Sequence, residues 1–237
     1  MIRRVETIGD CRLILADCMD VLPAALGRVP AILTDPPYGI GADKAAAKSE
    51  GKFGWSFYGR TNWDSERPPR AVFEAMLSRS RAQIIWGGNY FTDFLPPTMR
   101  WLVWDKCQRD FSLADCEFAW CSQQQAARIF SYPRAKALQD GKEHPTQKPV
   151  ELMAWCLGFL PKADLICDPF MGSGTTGVAV AREGGGRRFV GVELSERYFD
   201  IACRRIQDTY RQPRLIAEAP TPRPEQVPLF GEPPHEP

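Results

Sequence analysis

A chain of 237 residues is long enough for one sizeable α/β domain or two small ones. Its formal net charge of +1 excludes a polycation, so any contact with nucleic acid must come from local patches rather than from the charge of the whole. No apolar run approaches the ~20 residues of a membrane span, and the start, Met1-Ile2-Arg3-Arg4, leads into acids rather than an apolar signal core, so no export is expected. Eight cysteines are scattered, several inside apolar patterns (Cys156, Cys167, Cys203), which fits reduced thiols in a cytoplasmic protein. Cys107, Cys116 and Cys121 lack CxxC spacing, and no metal site is expected.

Arg12 to Ala16 reads as a strand closed by Asp17, Cys18 to Leu26 as a helix, and Pro30 to Thr34 as the next strand. A strand, a short helix and a strand make a βαβ unit, so the two strands are expected as parallel neighbours. Asp17 and Asp35 then share the carboxyl edge of the sheet, where open α/β sheets bind ligands. Asp35-Pro36-Pro37-Tyr38 follows the second strand. Each proline fixes φ and removes a donor, so the turn holds its shape. Asp35 and the Pro36 carbonyl are acceptors beside the flat face of Tyr38. That combination suits an exocyclic amino group on an aromatic base, although an ordinary Pro-Pro turn has the same local pattern.

The loop 39–63 mixes Lys44, Lys48, Lys52 and Arg60 with Trp55, Phe57 and Tyr58, a composition suited to a flap over nucleic acid. Pro68 to Ser80 reads as a helix, Gln83 to Trp86 and Trp101 to Trp104 as strands. Glu117 to Cys121 and Arg128 to Ser131 read as a hairpin across Ser122-Gln123-Gln124-Gln125. Ser131 to Glu143 shows no clear period and is read as a mildly basic surface loop with Arg134 and Lys136. The segment 122–143 is therefore a second candidate for DNA contact. His144 to Pro149 leads into a helix, Val150 to Leu160, and His144 reads as structural. Asp164 to Cys167 is a strand ended by Asp168, and Pro169-Phe170-Met171-Gly172-Ser173-Gly174-Thr175-Thr176 opens an Ala/Val-rich helix. Arg188 to Val192 is a strand ending at Glu193, and Ser195 is expected to cap a helix running to Tyr210.

Asp168 to Glu193 thus forms a second βαβ unit whose Gly172-x-Gly174 turn lets backbone approach a ligand closely. Glu193, 25 positions after Asp168 (193 − 168), is placed to accept from both hydroxyls of a ribose. The third glycine of the dinucleotide fingerprint is out of place, with Val178 at the expected position and Gly177 before it. That favours a nucleoside ligand other than a pyrophosphate.

Taken together, Asp35-Pro36-Pro37-Tyr38, His144 to Pro149, Asp168 to Thr176 and Gly191-x-Glu193 resemble the S-adenosylmethionine-dependent DNA amino-methyltransferases. The motifs stand in the permuted, β-class order, and the resemblance covers roughly residues 10 to 210. It implies an α/β, Rossmann-like class I methyltransferase fold, circularly permuted, with a mostly parallel seven-stranded sheet and helices on both faces. Residues 1–211 would form the catalytic domain. Asp35, Pro36, Pro37 and Tyr38 would be catalytic, with Tyr38 stacked on a flipped-out base. Asp168, Phe170, Gly172, Ser173, Gly174 and Thr175 would line the methionine end of S-adenosylmethionine. Glu193 would hold its ribose, and Asp17 with Cys18 its adenine. Thr146, Gln147 and Lys148 would close over its carboxylate. Within this family an acid at the position of Asp35 goes mostly with N6 of adenine, the N4 amine of cytosine being the alternative. No cysteine follows a proline, which sets aside methylation of cytosine carbon 5. An inactive cofactor-binding regulator is the alternative outside enzymes.

The stretches free for target readout are short, so readout is expected to be relaxed or shared with a second subunit, dimers being common in this class. The partner implied is double-stranded DNA, in a bacterial or phage setting. Eight of the 21 prolines fall in the segment 212–237, which reads as an extended tail. Within it, Gln226-Val227-Pro228-Leu229-Phe230 resembles the peptide by which bacterial DNA enzymes dock on the replication sliding clamp, with Gln226, Leu229 and Phe230 as anchors.

Overall fold

A computed structural model describes residues 1–23, 29–41, 64–109, 114–139, 147–160 and 164–212. One nine-stranded sheet organises them. In chain order its strands are β1 (Arg4–Ile8), β2 (Cys11–Leu15), β3 (Val29–Thr34), β4 (Ser80–Trp86), β5 (Trp101–Asp105), β6 (Cys116–Cys121), β7 (Arg128–Ser131), β8 (Leu165–Asp168) and β9 (Arg188–Glu193). Across the sheet they run β1-β2-β9-β8-β3-β4-β6-β5-β7. From β2 to β4 every pairing is parallel. The carboxyl ends of β2, β9, β8 and β3 therefore lie along one edge, and Asp17, Glu193, Asp168 and Asp35 come with them.

Helices cover both faces. The helices are α1 (Cys18–Val21), α2 (Arg70–Arg79), α3 (Arg134–Gln139), α4 (Val150–Leu157), α5 (Thr175–Glu183) and α6 (Glu196–Arg211). Alternation along the strands divides the core in two. On β3, Ala31 and Leu33 face the layer of α4, α5 and α6, whereas Ile32 faces the layer of α1 and α2. On α6, Tyr198, Phe199, Ala202 and Ile206 form the buried stripe, and large apolar side chains such as Phe199 and Ile206 contribute about 1.5–3 kcal/mol each when fully buried. Helix α5 is buried from Thr175 to Ala181 because it packs against the sheet, α4 and α6 at once. Its residues are small for that reason: a Cβ at Gly177 would meet Ile206 and Phe189 at 2.6 and 2.8 Å. Among the described residues no helix is long and apolar enough to cross a membrane.

Four expectations need correction. The sheet has nine strands where seven were expected. One of the additional strands, β1, carries the alternating sequence Arg-Val-Glu-Thr-Ile at the edge, too polar to stand out as a strand. Strands β2 and β3 are parallel but not neighbours, because β9 and β8 lie between them. Strands β6 and β7 do not form a hairpin, since β5 inserts between them, antiparallel to β6 and parallel to β7. The basic segment after Ser131 is not all loop: Arg134–Gln139 is a short helix. As expected, Ser195 is the N-cap of α6, although its side chain makes no capping hydrogen bond.

Candidate active site

A cleft of about 300 Å³ opens at the shared carboxyl edge. Its wall brings together Asp17 and Cys18 after β2, Asp35 and Pro37 after β3, Gln147 and Lys148 before α4, Asp168 to Ser173 after β8, and Glu193 to Ser195 after β9. Two motifs that stand far apart in the chain therefore share one space.

The Gly-rich turn is built from within. Asp168 is 2 % exposed, and its Oδ1 accepts from Thr34 Oγ1 at 2.7 Å and Phe170 N at 3.1 Å. Its Oδ2 accepts from Thr176 Oγ1 at 2.6 Å. Burial nevertheless pushes its carboxyl up to about 6. Gly172 has φ +51, and a Cβ there would find nothing within 4 Å, so this backbone lies open to a ligand. Gly174 differs from the expectation: it does not line the cleft, and at φ +79 its Cα faces Ala202, where a Cβ would fall 2.8 Å from that side chain. Its glycine serves the approach of α6. From α6, Arg205 Nη1 donates to Ser173 O at 2.6 Å and Ser173 Oγ at 2.9 Å, and Ser173 Oγ donates to Gln147 Oε1 at 3.1 Å.

Glu193 accepts from Gly172 N through Oε2 at 2.9 Å and from Ser195 N through Oε1 at 2.7 Å. Each oxygen keeps a lone pair for a further donor, as a vicinal diol requires. Burial pushes this carboxyl up to about 7 against those backbone donors. Asp17 caps α1, accepting from Met19 N at 2.8 Å, while it also borders the cleft. Open backbone at Gly172, an acid with free lone pairs and a cleft at a sheet switch edge fit a nucleoside-bearing cofactor.

The turn after β3 is pinned by Asp64, which no local pattern singles out. Asp64 is 1 % exposed, and its Oδ1 accepts from Tyr38 N at 2.7 Å and Gly39 N at 2.9 Å. Its backbone oxygen accepts from Gly41 N at 3.0 Å. The Tyr38 ring does not lie open for a base: it stacks on Tyr90 with centroids 4.8 Å apart and planes 17° apart. Gly87, at φ +69, makes room for it, because a Cβ there would fall 2.0 Å from Tyr38 Cε1. Pro36 is buried and outside the cleft wall.

Both oxygens of Asp35 are engaged. Oδ1 accepts from Tyr38 OH at 2.6 Å, and Oδ2 pairs with Lys148 Nζ at 2.7 Å. Lys148 therefore departs from the expected role at a carboxylate of the cofactor. Its Nζ also donates to Tyr38 OH at 3.0 Å and pairs with Glu117 Oε2 at 3.0 Å. Glu117 in turn pairs with Lys106 at 2.7 Å. The physical reason is charge: two carboxylates flank the ammonium, whose side chain is 3 % exposed. Burial opposes ionisation of Glu117, but Lys148 and Lys106 outweigh it and hold the carboxyl at about 2. Burial likewise disfavours the Lys148 ammonium, and Asp35 and Glu117 outweigh that, raising it above the usual lysine range. Burial lifts Asp35 above the usual carboxylate range, with Lys148 pulling the other way. Burial and the Asp35 charge raise Tyr38 well above its ordinary value.

Sequence reasoning missed Asp64, Gly87, Lys106, Glu117 and Arg205. Glu117 left one signal, an acid inside an otherwise apolar strand. Of the expected DNA contacts, Arg134 opens α3, and Lys136 lies 5.0 Å from the Tyr132 ring centroid. Lys44, Lys48, Lys52, Arg60, His144, Thr146 and the tail anchors Gln226, Leu229 and Phe230 lie outside the described residues.

A family model of N6/N4 methyltransferases, described as DNA methylase, matches residues 85–204. The chain is 35% identical over 106 residues to the Type II methyltransferase M2.DpnII of Streptococcus pneumoniae, covering 36% of this chain and 39% of that one. It is 39% identical over 87 residues to the DNA adenine methyltransferase YhdJ of Escherichia coli (strain K12), covering 35% of this chain and 29% of that one. The matched stretches thus span less than half the length of these curated relatives. The crystal structure of an M1.HpyAVI–SAM complex is similar in fold, with a TM-score of 0.55 at 21% identity, covering 83% of this chain and 98% of the other.

Proposed function

The chain belongs to the N6/N4 DNA methylase family, and from that premise we propose that it methylates the N6 amino group of adenine in double-stranded DNA, with S-adenosylmethionine as donor. One observation carries the reading: Asp35 and Pro37 stand on the wall of the same cleft as Gly172 and Glu193. An amine bound at the first pair is thereby brought beside a cofactor held by the second. The name of the relative YhdJ, a DNA adenine methyltransferase, supports adenine over the N4 amine of cytosine.

S-adenosylmethionine, when bound, supplies an electrophilic methyl group. Every other part of the reaction falls to the chain. Glu193 accepts from the ribose hydroxyls with the lone pairs that Gly172 N and Ser195 N leave free. Gly172 lets the cofactor come against bare backbone. The amino nitrogen of adenine is a poor nucleophile because its lone pair is delocalised into the ring. The Asp35 carboxylate, as acceptor, favours the pyramidal nitrogen and stabilises the charge it gains. Asp35 then takes the surplus proton and passes it to solvent. A base inside a duplex does not reach such a cleft, so the target is flipped out. The amine displaces either the Tyr38 hydroxyl or the Lys148 ammonium from Asp35 on arrival. Tyr38, once released, exchanges its contact with Tyr90 for one with the base.

The tail segment 226–230 is proposed to dock on a bacterial sliding clamp, on the strength of its sequence. The whole reading is tested by methyl transfer to unmethylated double-stranded DNA, digestion to nucleosides and mass spectrometry. N6-methyladenine that disappears in Asp35→Ala is the expected result. N4-methylcytosine would replace the base assignment. No methylated base, with cofactor binding intact, would sink the proposal.

A further inference from the structure

We propose that Glu117 and Lys106 are positioning residues for this reaction, acting on Asp35 through Lys148. The proposal deepens the function given above and rests on it for its kinetic readout.

The geometry is a half-buried relay of alternating charge with the buried Lys148 at its centre. Lys106 Nζ lies 2.7 Å from Glu117 Oε1, Glu117 Oε2 lies 3.0 Å from Lys148 Nζ, and Lys148 Nζ lies 2.7 Å from Asp35 Oδ2. Lys106 follows β5 directly, Glu117 is on β6, and the strands are paired with Trp104 opposite Glu117. Lys106 N also donates to Asp115 O at 2.9 Å, extending that ladder. The sheet therefore fixes the first pair rigidly, and the first pair fixes Lys148. The four charges sum to zero, so no single ion is left unpaired beneath the cleft.

Its purpose follows from what Asp35 must do. A lysine bound to Asp35 alone would draw the carboxylate's electron density to itself and compete with the amine of the base. Glu117 divides the hold of Lys148 between two carboxylates, which leaves Asp35 oriented but still a strong acceptor. Lys106 keeps Glu117 from taking Lys148 entirely. The groups that face Asp35 are Lys148, Glu117, the Tyr38 hydroxyl and, across the cleft edge, Asp168. Tyr90 acts on it only through Tyr38. Of these, Lys148 and Glu117 are the ones tied to the relay.

The two ends of the relay therefore push Asp35 in opposite directions. Glu117→Gln removes a neighbouring negative charge and turns Lys148 wholly toward Asp35, so Asp35 titrates lower. Lys106→Met lets Glu117 draw Lys148 away, so Asp35 titrates higher. Shifts of about one pH unit each are expected for charges at this range. The measurement is a carbon-detected NMR titration of the Asp35 carboxyl in the full, ligand-free chain, with circular dichroism and cofactor affinity checking that each variant is folded. The acid limb of single-turnover methyl transfer should move with it. Opposite shifts support the proposal, and shifts in one direction or none overturn it, whatever happens to the rate. If opposite shifts are found but the unmodified protein transfers methyl groups to no DNA, the proposed function fails and the relay's hold on Asp35 stands.

Discussion

Cofactor affinity should rise with pH through neutrality, and the cause would be Glu193. Burial lifts its carboxyl to about 7 in the free protein. Its oxygens already take Gly172 N and Ser195 N, and the remaining lone pairs are offered to a ribose. The ionised form makes those bonds, so binding lowers the carboxyl's pKa and releases a proton. The ionised fraction grows from about a tenth at pH 6 to about nine tenths at pH 8, so the dissociation constant should fall about tenfold over that range. Near pH 7 about half a proton should leave on binding, visible as a dependence of the calorimetric enthalpy on the buffer's ionisation heat. Glu193→Gln should flatten the profile. It also turns an amide NH2 toward one of the two backbone donors, which at pH 8 costs about 1.5–3 kcal/mol, a ten- to hundredfold loss. Calorimetry with S-adenosylhomocysteine across pH 6–8 is the assay. An affinity unchanged over that range in the unsubstituted chain would refute the assignment of the ribose to Glu193.

Gly87→Ala should damage the Tyr38 turn more than its size suggests. The left-handed backbone costs ~1–2 kcal/mol for a residue with a Cβ, and the Tyr38 ring must also move away. A loss of about 2 kcal/mol or more, read as a Tm lowered by about 4–8 °C, is expected, together with a fall in kcat larger than any change in cofactor affinity. A variant with unchanged Tm would mean that Tyr38 does not rest where the structure has it. For the tail, Leu229→Ala with Phe230→Ala should abolish capture of the sliding clamp in a pull-down and leave methyl transfer to short duplexes intact. Undiminished capture would remove that role.

Local signals made the parallel heart of the fold legible. The apolar runs around Ile32, Ile84, Ile166 and Val190 are continuous because their strands are buried on both faces. Asp35, Asp168 and Glu193 each stand where such a run stops, so their shared edge followed from the parallel sense of the strands. The far side of the sheet was less legible. Strands β6 and β7 have the look of a hairpin, and nothing local says that β5 will come between them. The partners of Asp35 were hidden for a related reason. Lys148 is 113 positions from it, and only the folded sheet brings Glu117 and Lys106 beneath both. The motif around Lys148 drew attention to the lysine but not to the acids that claim it.

The Asp64 clip has a consequence for how such a protein diversifies. Asp64 holds Tyr38, Gly39 and Gly41 by their N–H groups, so the chain leaves the site at residue 41 and returns to the same point at residue 64. Residues 41 and 64 are thus fastened to each other. Lengthening a segment closed in this way is cheap, about 0.6 kcal/mol for each doubling. On the reading that the segment between residues 41 and 64 contacts the target, a transplanted segment of different length should change the sequence methylated while cofactor affinity stays the same, and a graft that abolished cofactor binding would refute it.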